Sequence, residues 1–457
     1  MKKCVKDTGM MKMLLKLSLP AMGAQLFNAI YNLSDRIFIG HIEGCAAESL
    51  SGIGLCFPIT SLLTAFSWLV GMGGAPLLSI CLGKGQQKEA EKIEGNAFVL
   101  VVTMGLLSSI LCYFGADVLL KIFGASAELL PYARVYLQIY GMGSVAVMIS
   151  MGMNAFINAQ GRTDYGTVTV GIGAGVNIVL DYLFIMVFQF GIKGAAVATV
   201  LAQTISALWV TWLLFRSSVI KIHVKREFLK PIRNIIARII TLGSSSFVFM
   251  LNESLAAVVL NWLIRICAGY NEKGDLYIAG MTVVTSLSQI FFMPLKGITQ
   301  GAQPIVSYCY GSGKYEKMKE AIHDARICAF VCASAFWLIY MIFPNKIATL
   351  FTSDQTLIHL FGELIQFSFW ESFILGIQMV NQHMFVALGN AKWSFLFAIM
   401  RKLVLLIPLA CLMSKIWGVN GIFFAEPIAT VITAIFTQWA FNYYIKKIEE
   451  GSVNEKK

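Results

Sequence analysis

Twelve long apolar stretches occupy nearly all of this 457-residue chain. A bilayer's hydrocarbon core is about 30 Å thick, so a helical crossing needs about 20 apolar residues. The stretches run near 13–40, 50–82, 96–122, 131–159, 165–189 and 194–215, then near 235–267, 276–309, 321–344, 358–388, 393–415 and 419–444. With 57% hydrophobic and 13% charged residues, the chain lies far outside the composition of soluble domains. The expected fold class is an all-α polytopic membrane protein with twelve transmembrane helices. The first stretch is too long for a signal-peptide core and has no small-residue cleavage site, so it is read as the first crossing.

The first six stretches resemble the second six. At a spacing of 228 residues, Gly73, Pro76, Ser79, Cys81, Gly83 and Gly85 meet Gly301, Pro304, Ser307, Cys309, Gly311 and Gly313. Gly161 meets Gly389 at the same spacing, and Gly194 meets Gly421 at 227. Six crossings per half is an even number, so both halves enter the membrane from one side. The repeat is therefore parallel, giving two six-helix bundles, 1–222 and 223–457. Two equivalent bundles around a shared site can open it to either side by rocking.

The net charge of +11 could point to nucleic acid, but its placement points to topology. Basic residues cluster before stretch one (Lys2 to Lys16), after stretch two (Lys84, Lys88, Lys92) and in the link between halves (Arg216 to Arg238). They recur at Lys314 to Arg326, at Lys392, Arg401 and Lys402, and at Lys446 to Lys457. With Arg162 these are twenty-seven of thirty-six basic residues, all assigned to one side. Lys121, Lys193, Lys273, Lys346 and Lys415 stand nearly alone opposite. The positive-inside rule places both termini in the cytoplasm of a cell-membrane protein. The basic link also suits anionic lipid heads. Membrane lipids are thus expected partners and nucleic acid is not.

Ten cysteines are scattered without a CxxC pair or a Cys/His ligand set, which argues against a structural metal. No P-loop, GxSxG or HExxH motif occurs, and the link near 216–234 is too short for a nucleotide-binding domain. No cofactor is expected, nor is an enzyme. Uphill movement of a solute would need an ion gradient.

Charged and amide groups inside the stretches carry the site. A mid-bilayer carboxylate costs at least about 2.5–3.5 kcal/mol on insertion scales and persists when paired, hydrated or protonated. Asn28, Tyr31, Asn32 and Asp35 share one face of the first helix. Asn154 and Asn158, Asn177 and Asp181, and Thr199 with Gln203 are each four apart on stretches four, five and six. Four polar stripes predict a small wet chamber holding two carboxylates. The alternative for Asp35 is an interfacial side chain reaching water; for the amides it is interhelical packing. The second half does not copy this set: Leu405 and Leu409 replace Asn177 and Asp181. Its ionisable groups are Glu253, Lys296, Glu371, Arg401, Lys402 and Glu426, with Glu371 one candidate partner for Arg401.

These residues resemble the multidrug and toxic compound extrusion (MATE) transporters. The segment LSLPAMGAQLFNAIYNLSDRIFIGHI looks like that family's first helix, with Pro20 and an acid fifteen residues on, Asp35. Asn177 and Asp181 in GVNIVLDYLFI match its fifth helix, and Thr199 its sixth. FINAQGRTDY and MFVALGNAKW look like its paired loops, and YNxxDxIFIG leans toward the Gram-positive-type drug exporters. The resemblance covers essentially the whole chain.

It implies a V-shaped pair of bundles that exports organic cations and other amphipathic compounds against H⁺ or Na⁺. The implied coupling residues are Asp35, Asp181, Asn177, Tyr31, Asn32 and Thr199, with Pro20 a hinge in the first helix. Some members use carboxylates on helices seven and ten for sodium. Glu253 and Glu371 are the candidates for a second-half cation site, so sodium has two candidate places, Asp35/Asp181 and Glu253. Two ionised carboxylates close together repel, and one shared proton relieves that, so protons are the expected ion. The working unit is expected to be a monomer. Two other readings stand beside this one. A lipid-linked oligosaccharide precursor flippase would need several cavity-facing cations, for which Arg36, Lys296, Arg401 and Lys402 are candidates. A membrane-embedded enzyme would need a catalytic set that the scattered histidines do not form.

Overall fold

The computed structural model describes residues 9–40, 42, 46–123, 129–269, 272–352 and 354–454, and among them no strand occurs. Hydrocarbon offers no partner for backbone N–H and C=O groups, so each crossing satisfies its own as a helix. Three long helices open the chain: α1 (Met10–Gly40), α2 (Ala46–Gly83) and α3 (Gln87–Phe114). The fourth crossing, α4, joins Leu130–Met142 to Ser144–Ala159 at 59°. Then come α5 (Thr163–Val187), α6 (Gly191–Arg216), α7 (Arg233–Ala268), α8 (Glu272–Gly311) and α9 (Tyr315–Ile342). A second bent crossing, α10, joins Gln355–Phe369 to Ser372–Ala387 at 44°. The last apolar helix, Ala391–Glu450, is 60 residues long, about twice the length of one crossing. Its backbone is non-helical at Trp417 and Gly418, which divides it into α11 (391–416) and α12 (419–450). Among the described residues the chain thus crosses twelve times. Outward faces stay apolar, as Leu106, Leu107, Ile110 and Phe114 of α3 show by their exposure.

The repeat is physical as well as textual. The Ser79 hydroxyl donates to the Ala159 carbonyl at 2.8 Å, and Ser307 to Ala387 at 2.7 Å. Both members of the second pair lie 228 residues after the first. The bend of α4 at Gly143 and that of α10 at Glu371 have the same offset, as do the short helices starting at Ala116 and Pro344. Gly161 (φ 80°) and Gly389 (φ 75°) hold equivalent left-handed turns that a Cβ would strain.

The lobes meet at the end of the molecule where the basic loops lie, and glycine makes the contact. A methyl on Gly83 would overlap the Tyr308 carbonyl, and one on Gly311 the Ile80 carbonyl. These two contacts are images of each other under the repeat. Gly73 meets Ile239, Gly243 meets Leu69, and Gly301 meets Ser18 in the same backbone-to-backbone manner. Small residues allow such approach, which explains the glycines of the repeated motif. The apolar cores also exchange ends. Met10, Met13 and Leu14 of α1 pack in the second lobe's core, and Ile235, Ile239 and Leu242 of α7 in the first lobe's.

The link between the halves is clamped to the first lobe. Gln160 Oε1 accepts from the Lys221 and Ile222 amides at 3.0 and 2.9 Å, and Lys225 pairs with Glu91 at 2.8 Å.

Candidate functional site

The glycine contact closes one end of a cavity of about 840 Å³ between the lobes. Asn28, Tyr31, Asn32 and Asp35 of α1 all line it, as their common helix face requires. The depth of Asp35 follows from packing. The Thr167 hydroxyl of α5 donates to the Pro20 carbonyl of α1 at 2.5 Å. Both helices run away from the basic end, and Asp35 lies fifteen residues beyond Pro20 while Asp181 lies fourteen beyond Thr167. At about 1.5 Å per residue the two carboxylates reach nearly one depth, about 21–22 Å above that bond.

Their surroundings differ. Asp35 faces the cavity. Asp181 is fully buried behind the wall, and neither carboxylate oxygen has a hydrogen-bond partner among the described residues. Asn177 and Thr199 are buried with it, the amide donating to the Thr199 hydroxyl at 3.5 Å. Tyr31 stands between: it lines the cavity, lies within hydrogen-bonding reach of Thr199, and is electrostatically coupled to both Asp35 and Asp181. Asn32 faces the cavity and donates to the Asn28 carbonyl at 2.8 Å. The side chain of Arg36 lies outside the described residues.

The expected single chamber is corrected in two respects. Asp181 and Asn177 do not line the cavity, because α5 turns Gly173 and Ala174 toward it instead, and Thr199 does not, because α6 lines it with Gln203 and Ser206. Asn154 and Asn158 do line it, but at its basic end, where the Asn154 amide donates to the Gly166 carbonyl at 3.2 Å. Gly166 precedes Asp181 by fifteen residues, which is about 22 Å along the helix. Helices α4 and α5 are antiparallel neighbours joined at the basic end, so the last turns of one meet the first turns of the other.

Sequence reasoning also missed Tyr136 and Tyr140. They line the cavity from α4, their rings stack at 6.1 Å, and both lie within electrostatic reach of Asp35. Their i, i+4 spacing was the available signal.

In the second lobe the carboxylates are engaged differently. Arg401 pairs with Glu253 at 2.5 Å, and Lys402 pairs with Glu253 at 3.2 Å and with Glu426 at 2.5 Å. The partners of Arg401 are thus Glu253 and, at 3.9 Å, Glu426, not Glu371. Arg401 and Lys402 are buried, so these two do not belong to the basic surface where the charge count placed them. They sit on a wider π-helical stretch of α11, Met400–Leu406, an arrangement often found at functional sites. Glu371 is buried at the bend of α10, within electrostatic reach of Glu426, Arg401 and Lys402. A sodium ion at Glu253 would compete with two fixed cations that already hold both of its oxygens.

The MatE family model matches residues 20–183 and 247–412, one match in each lobe. The chain belongs to the MatE family. It is a multi-pass membrane transporter of the multidrug efflux type, not an enzyme. It is similar to the multidrug export protein MepA of Staphylococcus haemolyticus, 23% identical over 435 residues, covering 95% of this chain and 94% of that one. MepA of Staphylococcus aureus strain MRSA252 is 24% identical over 428 residues, covering 93% and 92%. Among solved structures, a MATE protein in its straight conformation superposes with a TM-score of 0.90 at 23% identity, covering 98% of both chains. A MATE protein in its bent conformation gives 0.89 at 25% identity, again covering 98% of both. In this MATE transporter the α1–α5–α6 region holds two carboxylates, and α7, α11 and α12 hold an ion-pair cluster.

Proposed function

We propose that this transporter exports small organic compounds in exchange for protons at the cell membrane, with both termini in the cytoplasm. The carrying observation is the pairing of a cavity-facing carboxylate, Asp35, with a buried one, Asp181, at one depth. Two acids within electrostatic reach cannot both ionise cheaply, so one proton is retained. Tyr31, Thr199 and Asn177 supply the polar path between them, and Asn32 continues it into the cavity. A cationic or polar cargo near Asp35 then competes with the proton, which couples the two flows. At about 100 mV one charge crossing gains about 2.3 kcal/mol, and a tenfold proton gradient adds about 1.4 kcal/mol. Together these sustain a several-hundredfold gradient of an uncharged cargo at one proton per cycle, whereas a monovalent cation exchanged for one proton moves no net charge and draws on the proton gradient alone. Pro20 is proposed as a hinge. It leaves one backbone carbonyl of α1 without its helical donor, and its own carbonyl is tied to Thr167, so a shift of α1 is transmitted to α5.

The engaged state of Glu253 favours protons over a second-lobe sodium site. The flippase reading is not favoured, since Arg401 and Lys402 are held by carboxylates rather than offered to the cavity. The deciding experiment is ethidium movement in proteoliposomes under separately imposed gradients. A pH gradient without sodium is expected to suffice. Movement only with a sodium gradient would overturn proton coupling and return attention to Glu253.

A further inference from the structure

One cation in the cavity is not explained by proton exchange. Lys296 of α8 lines both the central cavity and a smaller side cavity of about 80 Å³ that enters the second lobe. Its ammonium makes no ion pair or hydrogen bond among the described residues. Glu253 is near enough to be felt, but its oxygens are taken by Arg401 and Lys402. A lysine within a crossing is costly and marks a functional position unless it is paired.

Its neighbours extend the feature. Gln300 and Gln303 follow at i+4 and i+7, on the same face of α8, and both line the central cavity. The Gln303 side chain is only 7% exposed, and its amide nitrogen is a donor with no acceptor among the described residues. This wall of the cavity therefore presents an ammonium and a spare N–H donor. The opposite wall presents acceptors: the Asp35 carboxylate, and the side-chain carbonyls of Asn154 and Asn158, which have no donor among the described residues. Apolar and aromatic groups lie beside Lys296. Trp68, the residue that the repeat makes its equivalent, lines both cavities with Met72 and Met250, and Phe249 lines the smaller one.

Depth separates the two charges. Gly297 packs against Met22 of α1, so Lys296 lies close to the level of Met22. Asp35 is thirteen residues further along α1, about 20 Å away along the axis. Lys296 is thus not a counter-ion to the carboxylate pair. It is a separate positive seat toward the closed end of the cavity.

From this we infer that Lys296 is a specificity residue that seats an anionic group of the cargo, a carboxylate, sulfonate or phosphate on an amphipathic, aromatic-rich body. Cargo bearing such a group is preferred over its uncharged analogue, zwitterions included. The inference rests on the exporter reading above and deepens it.

A rhodamine with a free benzoate and its methyl ester form a matched probe pair differing at the anionic group. The readout is the ratio of free-acid to ester transport in proteoliposomes under a pH gradient. Lys296→Gln is expected to lower that ratio at least tenfold, and Lys296→Arg to restore most of it. An unchanged ratio in Lys296→Gln would overturn the inference. Wild-type protein that moves the ester but neither moves nor binds the free acid would overturn it too. If wild-type protein moves neither dye under any ion gradient, the exporter reading fails instead. Fluorescence anisotropy on purified protein then decides the seat: a Lys296-dependent preference for the free acid supports it, and equal affinities in wild type and Lys296→Gln reject it.

Discussion

Asp35 and Asp181 share a depth but not an environment, and that difference yields tests. An amide fills the space of either acid and hydrogen-bonds, but cannot cycle a proton. Asp35→Asn and Asp181→Asn should each abolish or strongly reduce ethidium efflux while membrane expression stays near normal. Full efflux in both would remove the first lobe from coupling. Asp181 has no hydrogen-bond partner among the described residues, so an amide of the same shape forfeits no hydrogen bond there and cannot carry a buried charge. Detergent-solubilised Asp181→Asn should therefore melt no lower than wild type. Glu253 is the opposite case. It is a part-exposed partner shared by the buried Arg401 and Lys402, which keep Glu426 when it is lost, so its deletion removes part of their compensation. Glu253→Ala should lower the melting temperature, and a Glu253→Leu/Arg401→Leu double variant should recover much of the loss. Additive losses in the double-mutant cycle would show that the pair is not coupled.

Helices α2, α7 and α8 owe their mutual contact to missing side chains. Gly83 and Gly311 sit where a Cβ would overlap a carbonyl of the other lobe, and a helix backbone cannot yield locally without losing its own hydrogen bonds. Gly83→Val and Gly311→Val should force the lobes apart at the basic end. Cys81 and Cys309 are buried beside this contact and report on it. With the other cysteines replaced, either glycine variant should speed their alkylation by a small maleimide at least several-fold. Unchanged labelling would mean that the glycines serve folding rather than closure. The bends of α4 and α10 occur at equivalent positions, yet one carries Gly143 and the other Glu371. The repeat preserves backbone geometry where it does not preserve chemistry.

For the molecule as a whole, the parallel repeat sets how the two lobes relate, and charge sets which way they face the cell. An impermeant thiol reagent on intact cells should label a cysteine placed within 43–49, part of which lies outside the described residues. It should not label one placed within 221–230, once native cysteines are replaced. The reverse pattern would invert the topology, and with it the direction of export. The charge asymmetry survives the transfer of Arg401 and Lys402 to the buried cluster, because the remaining basic residues still crowd one side.

Linear sequence determined much of this. Hydrophobic length sets the number of crossings, since each must span the same hydrocarbon thickness. The offset of 228 residues brings Ser79 with Ser307 and Gly83 with Gly311 into equivalent contacts. Helical periodicity placed Asn28, Tyr31, Asn32 and Asp35 on one face, and all four line the cavity. What periodicity could not supply is the direction in which a polar face points, or which distant group meets it. That Asp181 lies behind the wall while Asp35 lies on it depends on how α5 is rotated against α1 and α6. The partners of Arg401 are 148 and 25 residues away in the chain, Glu253 and Glu426, and only the fold makes them neighbours. Lys296 was one charged residue among several until packing showed Arg401 and Lys402 neutralised and left its own ammonium facing the cavity. Burial and pairing depend on where all twelve helices lie, so these assignments belong to the tertiary structure alone.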